Sequence, residues 1–358
     1  MKILLFLFLI LSQIFAQQTS SQNFAQQSRG LLFSGIFESA VSANVGDGEA
    51  NPLSYGLEEY ANIRMQSRIG DVGTFFAAVN LLALAGDYAL AVDSEDNGKN
   101  YIAIMELERL YFKLKGRSLD FDGGLLRMPF GYGQVWKSSD FLNPANPLKP
   151  DARPLAVLGG GVSWYPVEDF KILAFGSAGD DPFENNHAVG GMSADKHWNK
   201  ASIQVLYAFE QAKKQTQRIG GSFKADLVLG LVLDALYSYN EETEENIDGL
   251  SFSGGFDYSL FGAKLVFLVE YLYNGASSST SETFSGKNYL YGGATWRFSD
   301  FTSISTALMT DVDENSHIPI ITFSHELFQG ATLALMAQIP IDSEVSKFYL
   351  ETKLKFRF

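Results

Sequence analysis

The last eleven residues, FYLETKLKFRF, place apolar and charged side chains at strictly alternating positions. Successive side chains of a β-strand point to opposite faces, so this segment predicts a strand with one apolar and one charged face. The apolar set is Phe348, Leu350, Thr352, Leu354, Phe356 and Phe358. The other set is Tyr349, Glu351, Lys353, Lys355 and Arg357. The two faces therefore require two different solvents.

The same period of two recurs along the chain, for example in residues 57–69, 231–240 and 263–274, with Glu59 as an exception on an otherwise apolar face. Short turns such as KGRS at 115–118 alternate with longer acidic connections such as NEETEENID at 240–248. This rhythm predicts about 18 antiparallel strands, with about 16 as the alternative count.

Residues 74–92 form the longest apolar stretch beyond the N-terminus, but Gly86 and Asp87 interrupt it. The uninterrupted part is shorter than the roughly 20 residues that a membrane-spanning helix needs. A buried helix and an apolar strand both remain open for this stretch, and the alternating neighbours favour the strand.

Three architectures produce or mimic this pattern. A soluble sandwich or propeller also alternates, but it does not require short turns at one end and long acidic loops at the other. A helical membrane protein is excluded by the short apolar stretches. The sequence predicts an all-β fold, a transmembrane antiparallel β-barrel with short periplasmic turns and long outer loops.

In such a barrel the charged face must line the lumen, because an Arg or Lys facing lipid at the midplane costs about 2–4 kcal/mol. About 18 strands leave room for a channel. The predicted lumen-lining residues are Arg64, Arg68, Lys224, Asp226, Asp234, Lys264, Glu270, Arg297, Glu351, Lys353, Lys355 and Arg357. Because they carry both signs of charge, they favour a water-filled path.

The N-terminus has the composition of a secretory signal. Lys2 precedes an unbroken apolar run that is too short to span a bilayer, and a small residue, Ala16, closes the segment. The predicted organisation is a signal peptide over residues 1–16, a short polar lead over 17–30 and one barrel over 31–358. Within the barrel, 129–154 is a candidate constriction loop.

Composition excludes several functions. The formal net charge of −14 argues against nucleic acid as a partner, because phosphate binding needs basic patches. The four histidines are scattered without metal-ligand spacing, and GYGQVW at 131–136 lacks the third glycine of a dinucleotide-binding loop. We therefore expect neither a metal, nor a cofactor, nor enzymatic activity. The absence of cysteine means that a hydrogen-bonded sheet must hold the fold.

The signal peptide, the hairpin rhythm and the final aromatic strand ending in Phe358 together resemble a Gram-negative outer-membrane porin. The resemblance implies a location in the outer membrane, among its lipid and lipopolysaccharide, and passive diffusion of ions and small hydrophilic solutes. It also implies that Phe358 is recognised by the barrel-assembly machinery. Either a homotrimer or a monomer is compatible with it.

The stretch LLRMPFGYGQVWKSSDFLNPANPLKPDARP at 125–154 resembles a "GR…G…W…D…NP" stretch of larger porins, including alginate-export-type channels, although Leu126 replaces the usual glycine. In general porins the third outer loop, after strand five, folds inward and narrows the pore, so the same is expected here. An outer surface loop is the alternative. The candidate constriction residues are Arg127, Trp136, Lys137, Asp140, Lys149, Asp151 and Arg153.

Aromatic residues near predicted strand ends suit the membrane interfaces. They are Tyr237, Tyr239, Tyr271, Tyr273, Trp296, Phe298, Phe356 and Phe358. The predicted function is a porin for small hydrophilic solutes. The alternatives are a transporter for a hydrophobic substrate, similar to fatty-acid channels, and a surface adhesin or structural barrel.

Overall fold

A computed structural model describes residues 30–46, 53–86, 89, 101–144, 155–178, 187–212, 215–240, 249–275, 286–341 and 347–358. The predicted signal peptide, most of the polar lead and the loop residues 145–154 lie outside these ranges. Within the described residues, no helix is long and apolar enough to cross a bilayer.

Eighteen antiparallel strands form one closed sheet, which agrees with the predicted count. The strands are β1 (Leu32–Gly46), β2 (Leu53–Ile69), β3 (Gly73–Gly86), β4 (Tyr101–Lys115), β5 (Leu119–Leu126), β6 (Val157–Val167), β7 (Phe170–Ser177), β8 (Ala188–His197), β9 (Ala201–Gln211), β10 (Gln215–Asp226), β11 (Gly230–Tyr239), β12 (Leu250–Leu260), β13 (Leu265–Asn274), β14 (Asn288–Arg297), β15 (Thr302–Asp311), β16 (Ser316–Phe328), β17 (Ala331–Gln338) and β18 (Lys347–Arg357). The ambiguous apolar stretch at 74–92 begins as a strand, since β3 covers its first part.

Closure is completed by β1, which pairs with both β2 and β18. At this seam the Gly35 N–H donates to the Phe358 carbonyl (2.9 Å), and the Phe358 N–H donates to the Gly35 carbonyl (3.1 Å). A Cβ on residue 35 would lie 2.4 Å from the Phe358 ring. Glycine at position 35 therefore makes room for the terminal aromatic side chain.

The strand register connects the predicted charged face around the whole barrel, because directly opposed residues in a sheet share a face. For example, Asp234 is opposite Ser222 and Ser253, and Glu351 is opposite Ser42 and Met336. Eleven of the twelve predicted lumen-lining residues lie on this face. The twelfth, Lys264, directly precedes the first residue of β13. The opposite face carries exposed apolar side chains such as Val205, Leu233 and Leu354.

Glu59 is an outward-facing carboxylate within a strand, as the sequence pattern indicated. It lies opposite Ser39 and Ala83, and the Ser39 hydroxyl donates to Glu59 Oε1 at 2.8 Å. The hydrogen bond gives this outward carboxylate one polar partner on the apolar surface.

A β-bulge in β4 changes the alternation beside the start of the long loop. The register shifts between Ala78 and Val79 of β3, so that Ala78 is opposite Arg109 and Val79 is opposite Leu107. Glu108 is the extra residue, and both Glu108 and Arg109 point to the charged face. A bulge can re-aim side chains in this way, and here it brings a carboxylate towards the loop.

Candidate functional site

The segment that follows β5, residues 127–144, contacts the charged face over half of the barrel. Leu126 ends β5, whereas the backbone N–H of Gln134 already reaches Glu270 on β13, eight strands along the sheet. With strands about 4.8 Å apart and tilted by about 40°, β5 and β13 are about 50 Å apart along the wall. Residues 126–134 cover at most about 28 Å when fully extended.

Only a path on the smaller inner radius is short enough for that connection. The segment therefore lies inside the barrel, against the inner wall, as expected for an inward-folded third loop. We call residues 127–144 the inner loop. Its contacts also identify the charged face as the face of the lumen.

Glu270 on β13 is the main anchor of the inner loop. Its side chain is fully buried and accepts three consecutive backbone N–H groups, from Gln134 (2.7 Å), Val135 (2.7 Å) and Trp136 (2.9 Å). Hydrogen bonds to a charged acceptor are the stronger ones, so a single carboxylate fixes one turn of backbone against the wall.

Asp234 on β11 is a second anchor of the same kind. It accepts the backbone N–H groups of Tyr132 (3.0 Å) and Gly133 (2.9 Å). Gln204 on β9 accepts the N–H of Gly131 at 3.0 Å. The loop backbone is thus bonded in turn to β9, β11 and β13 of the wall, which gives it one defined path.

Two glycines permit this close approach. Gly131 has a φ of +83°, and a Cβ there would lie 2.6 Å from an Asp234 oxygen. A Cβ on Gly133 would lie 1.7 Å from the Trp136 carbonyl oxygen. A side chain at either position would push the backbone away from the carboxylate.

Aromatic side chains complete the attachment near the start and in the middle of the inner loop. Trp136 is buried against Leu272 of β13 and Tyr289 of β14, and its ring meets Tyr291 edge-on. Near the loop start, Phe130 packs on Phe175 of β7 with ring centroids 5.0 Å apart. These contacts bury apolar surface on the lumen side, where the wall is otherwise polar.

The last part of the inner loop forms a hydrogen-bonded turn around Asp140. The Asp140 N–H donates to the Lys137 carbonyl (2.9 Å), and the Asn143 N–H donates to Asp140 Oδ1 (3.1 Å). Asn143 in turn accepts the N–H of Met128 (2.7 Å) and donates to the carbonyl of Leu155 (2.6 Å), which ties the two ends of the loop together. Burial raises the pKa of the Asp140 carboxyl to about 7.

A cluster of charges lies where the inner loop leaves the wall. Arg127 donates to Glu108 at 2.9 Å, Arg109 lies 3.4 Å from the same carboxylate, and Asn62 donates to it at 2.6 Å. Burial, together with the neighbouring Arg109 and Arg64, lowers the pKa of the Arg127 guanidinium. The Glu108 carboxylate is thus shared by Arg109 and Arg127 at the start of the inner loop.

A polar cleft of about 360 Å³ continues from this cluster between the loop start and strands β4 to β7. Lys113 and Asp122, opposed on the adjacent strands β4 and β5, form an ion pair along it at 3.8 Å, and Lys171 and Tyr165 also line it. Side chains of both signs therefore border open space directly beside the inner loop.

The structure separates the predicted constriction residues into three groups. Arg127 lies in the charge cluster, and the Lys137 side chain is exposed. Trp136 and Asp140 are buried, Trp136 against the wall and Asp140 within the turn of the loop. Lys149, Asp151 and Arg153 lie outside the described residues.

The predicted lumen-lining residues also differ in environment. Asp234 and Glu270 face inward but are covered by the inner loop. Others form ion pairs on the wall, namely Lys224 with Asp226 (3.7 Å), Lys353 with Glu351 (3.2 Å) and Lys355 with Glu38 (2.7 Å).

Several residues of the site could not be identified from sequence. Gln204, Ser222 and Ser253 appeared as ordinary polar strand residues, yet they contact the inner loop. The available signal for the bulge was the broken alternation in MELER at 105–109, because Glu106, Glu108 and Arg109 cannot share one face of a regular strand.

No protein-family model and no curated protein sequence matches the chain. Solved structures do. OccAB4 of Acinetobacter baumannii has a TM-score of 0.60 at 9% identity, with 94% of this chain and 100% of that chain covered. OpdK of Pseudomonas aeruginosa has a TM-score of 0.62 at 9% identity, covering 92% and 98%. OccK2 (OpdF) of Pseudomonas aeruginosa, solved in complex with glucuronate, has a TM-score of 0.61 at 10% identity, covering 92% and 98%.

These similarities extend over nearly the whole of both chains. The chain has the closed 18-stranded fold of Gram-negative outer-membrane porins. At such low identity the likeness concerns the fold, and the substrate of a neighbour does not transfer with it.

Proposed function

We propose that this protein is an outer-membrane porin that forms a water-filled channel for passive diffusion of ions and small hydrophilic solutes. The observation that carries the proposal is the inner loop, which is held along the inner wall of a closed barrel by buried carboxylates. A barrel that served only as a surface scaffold would not need an ordered segment inside its lumen.

The proposal assigns the inner loop the role of the constriction. The loop occupies space on one side of the lumen, from β5 to β14, and leaves the wall of β15 to β18 and β1 to β2 facing it. Charged side chains near a narrow point set the preference of a channel for ions. Arg127 and Lys137 are the loop residues that we assign to this role, with Lys149, Asp151 and Arg153 as further candidates on the same connection.

The same proposal covers the surroundings of the barrel. The outward apolar face suits outer-membrane lipid, with lipopolysaccharide around the acidic outer loops, and Phe358 at the seam suits recognition by the barrel-assembly machinery. We do not expect catalysis from a passive channel of this kind.

Single-channel recording in planar bilayers tests the function. Purified protein should insert and produce stable, ohmic current steps in potassium chloride. A barrel that inserts without conducting, or that binds detergent or fatty acid while remaining closed, would support the hydrophobic-substrate transporter instead.

A further inference from the structure

The short turns at the periplasmic end of the barrel divide into two contrasting arcs. Four successive turns, from β10–β11 to β16–β17, carry protruding apolar side chains, whereas turns from β4–β5 to β8–β9 carry mainly charged or polar ones. We call the first set the apolar rim. Its members are Leu227, Val228, Leu229, Phe261, Phe298, Phe301, Leu327 and Phe328.

These side chains are exposed to an unusual degree for large apolar groups. Val228 is 84% exposed, Phe261 75% and Phe328 64%. Single exposed apolar residues are common, but a contiguous set marks an interaction surface. In the polar arc the turn tips are taken by Arg117, by Glu168 with Asp169, and by Asn199 with Lys200, while exposed Val167 and Trp198 lie at the bases of two of these turns.

The turn of Phe261 gives independent support. Phe261 has a φ of +53°, and Gly262 and Ala263 follow with +64° and +62°. The left-handed region is unfavourable for a bulky residue, and glycine would adopt it freely. The chain nevertheless presents an aromatic ring at this tip, where a glycine would suit the backbone better.

The apolar rim is continuous with the lipid-facing surface of the same strands. Trp296, on the outward face of β14, stacks on Phe298 with ring centroids 4.7 Å apart, and Phe328 lies 6.4 Å from Phe356 of β18. Asp226 and Arg297 lie on the lumen face of their strands, so neither places its charge on the lipid-facing side of this arc.

We propose that the apolar rim is immersed in the periplasmic leaflet of the membrane, while the tips of the β4–β5 and β6–β7 turns remain in water. The barrel is consequently seated asymmetrically, with the β10–β17 side deeper in the lipid. The partner is the boundary between phospholipid headgroups and acyl chains, where aromatic side chains are favoured. This inference rests on the proposed function only in requiring that the barrel spans a membrane.

The absence of cysteine from the chain allows a direct test. Single variants Val228→Cys and Phe261→Cys report on the apolar rim, and Arg117→Cys and Glu168→Cys are matched controls on the polar turns. Leu233→Cys, on the outward face of β11, reports on insertion itself. Each variant is labelled with a polarity-sensitive fluorophore and reconstituted in phosphatidylcholine vesicles with or without brominated acyl chains.

We expect the labels at positions 228 and 261 to emit at shorter wavelength and to lose most of their intensity in brominated lipid. Labels at 117 and 168 should instead be quenched by aqueous iodide. Iodide quenching at all four turn positions would overturn the inference, and so would protection at 228 and 261 from both quenchers, which would indicate a protein contact such as a second copy. If brominated lipid also fails to quench the label at position 233, the barrel does not span the membrane and the proposed function itself fails.

Discussion

Replacing Glu270 by glutamine isolates the anchor of the inner loop with minimal change in shape. The carboxylate accepts three N–H groups, two of them on Oε2. In the variant one oxygen becomes an NH2 group, which cannot accept, so at least one of these hydrogen bonds is lost and the others become neutral.

The expected cost follows from the strength of these bonds. A hydrogen bond to a charged group contributes about 1.5–3 kcal/mol, and a neutral one about 0.5–1.5 kcal/mol. The loop attachment should therefore weaken by about 3 kcal/mol, which raises the equilibrium constant for loop detachment about a hundredfold. The barrel itself should remain intact, because strand pairing does not involve the Glu270 side chain.

Two measurements check this result. Hydrogen exchange of the amides of residues 134–136 should accelerate, and single-channel currents should show more open-channel noise. Asp226→Asn is the matched control, because Asp226 also carries an inward carboxylate but is exposed at the end of β10 and pairs with Lys224. Equal behaviour of the two variants, or unchanged exchange in Glu270→Gln, would refute the anchoring role.

Three further predictions address the loop, the charge cluster and the seam. Because burial raises the pKa of Asp140 from 3.8 to about 7, the native loop binds a proton that the detached loop releases, so attachment should be strongest near pH 4, weaken up to about pH 7 and then level off. Open-channel noise of the native protein should therefore rise from pH 4 to about pH 7 and stay constant up to pH 8. Asp140→Asn should lose most of this pH dependence, and noise that falls with rising pH in the native protein would contradict the assignment. Arg127→Gln removes one cation beside the loop start and should shift the reversal potential in a potassium chloride gradient towards cation selectivity, whereas an unchanged potential would place Arg127 away from the ion path. Deletion of Phe358 should lower the yield of heat-resistant, folded barrel in outer membranes more than the yield on refolding into detergent, and equal yields in cells would argue against an assembly signal.

The barrel could be predicted from sequence because its period is local. Each strand must present apolar side chains to lipid and polar ones to the lumen, and that requirement appears within ten residues of chain, as in residues 231–240 or 348–358. The position of the long loop after the fifth strand could be predicted for the same reason.

The attachment of the loop could not be predicted, because its partners are far away in sequence. Glu270 is bonded to residues more than 130 positions earlier, and nothing distinguishes it in β13 from a carboxylate that faces water. Trp136 shows the same difficulty. Its partners Leu272 and Tyr289 are opposed on the adjacent strands β13 and β14, more than 130 positions later in the chain.

The seam between β1 and β18 determines the order of events during folding. Ile36 pairs with Arg357 across nearly the full length of the chain, so the sheet cannot close until the last residues have been exported. Until then two strand edges expose unpaired backbone groups to any neighbouring chain, and pairing at such high contact order is intrinsically slow. Pairing of β18 is therefore the slow step of barrel closure. Truncation of β18 should cause the unclosed chain to aggregate, whereas shortening of the outer loops should be tolerated.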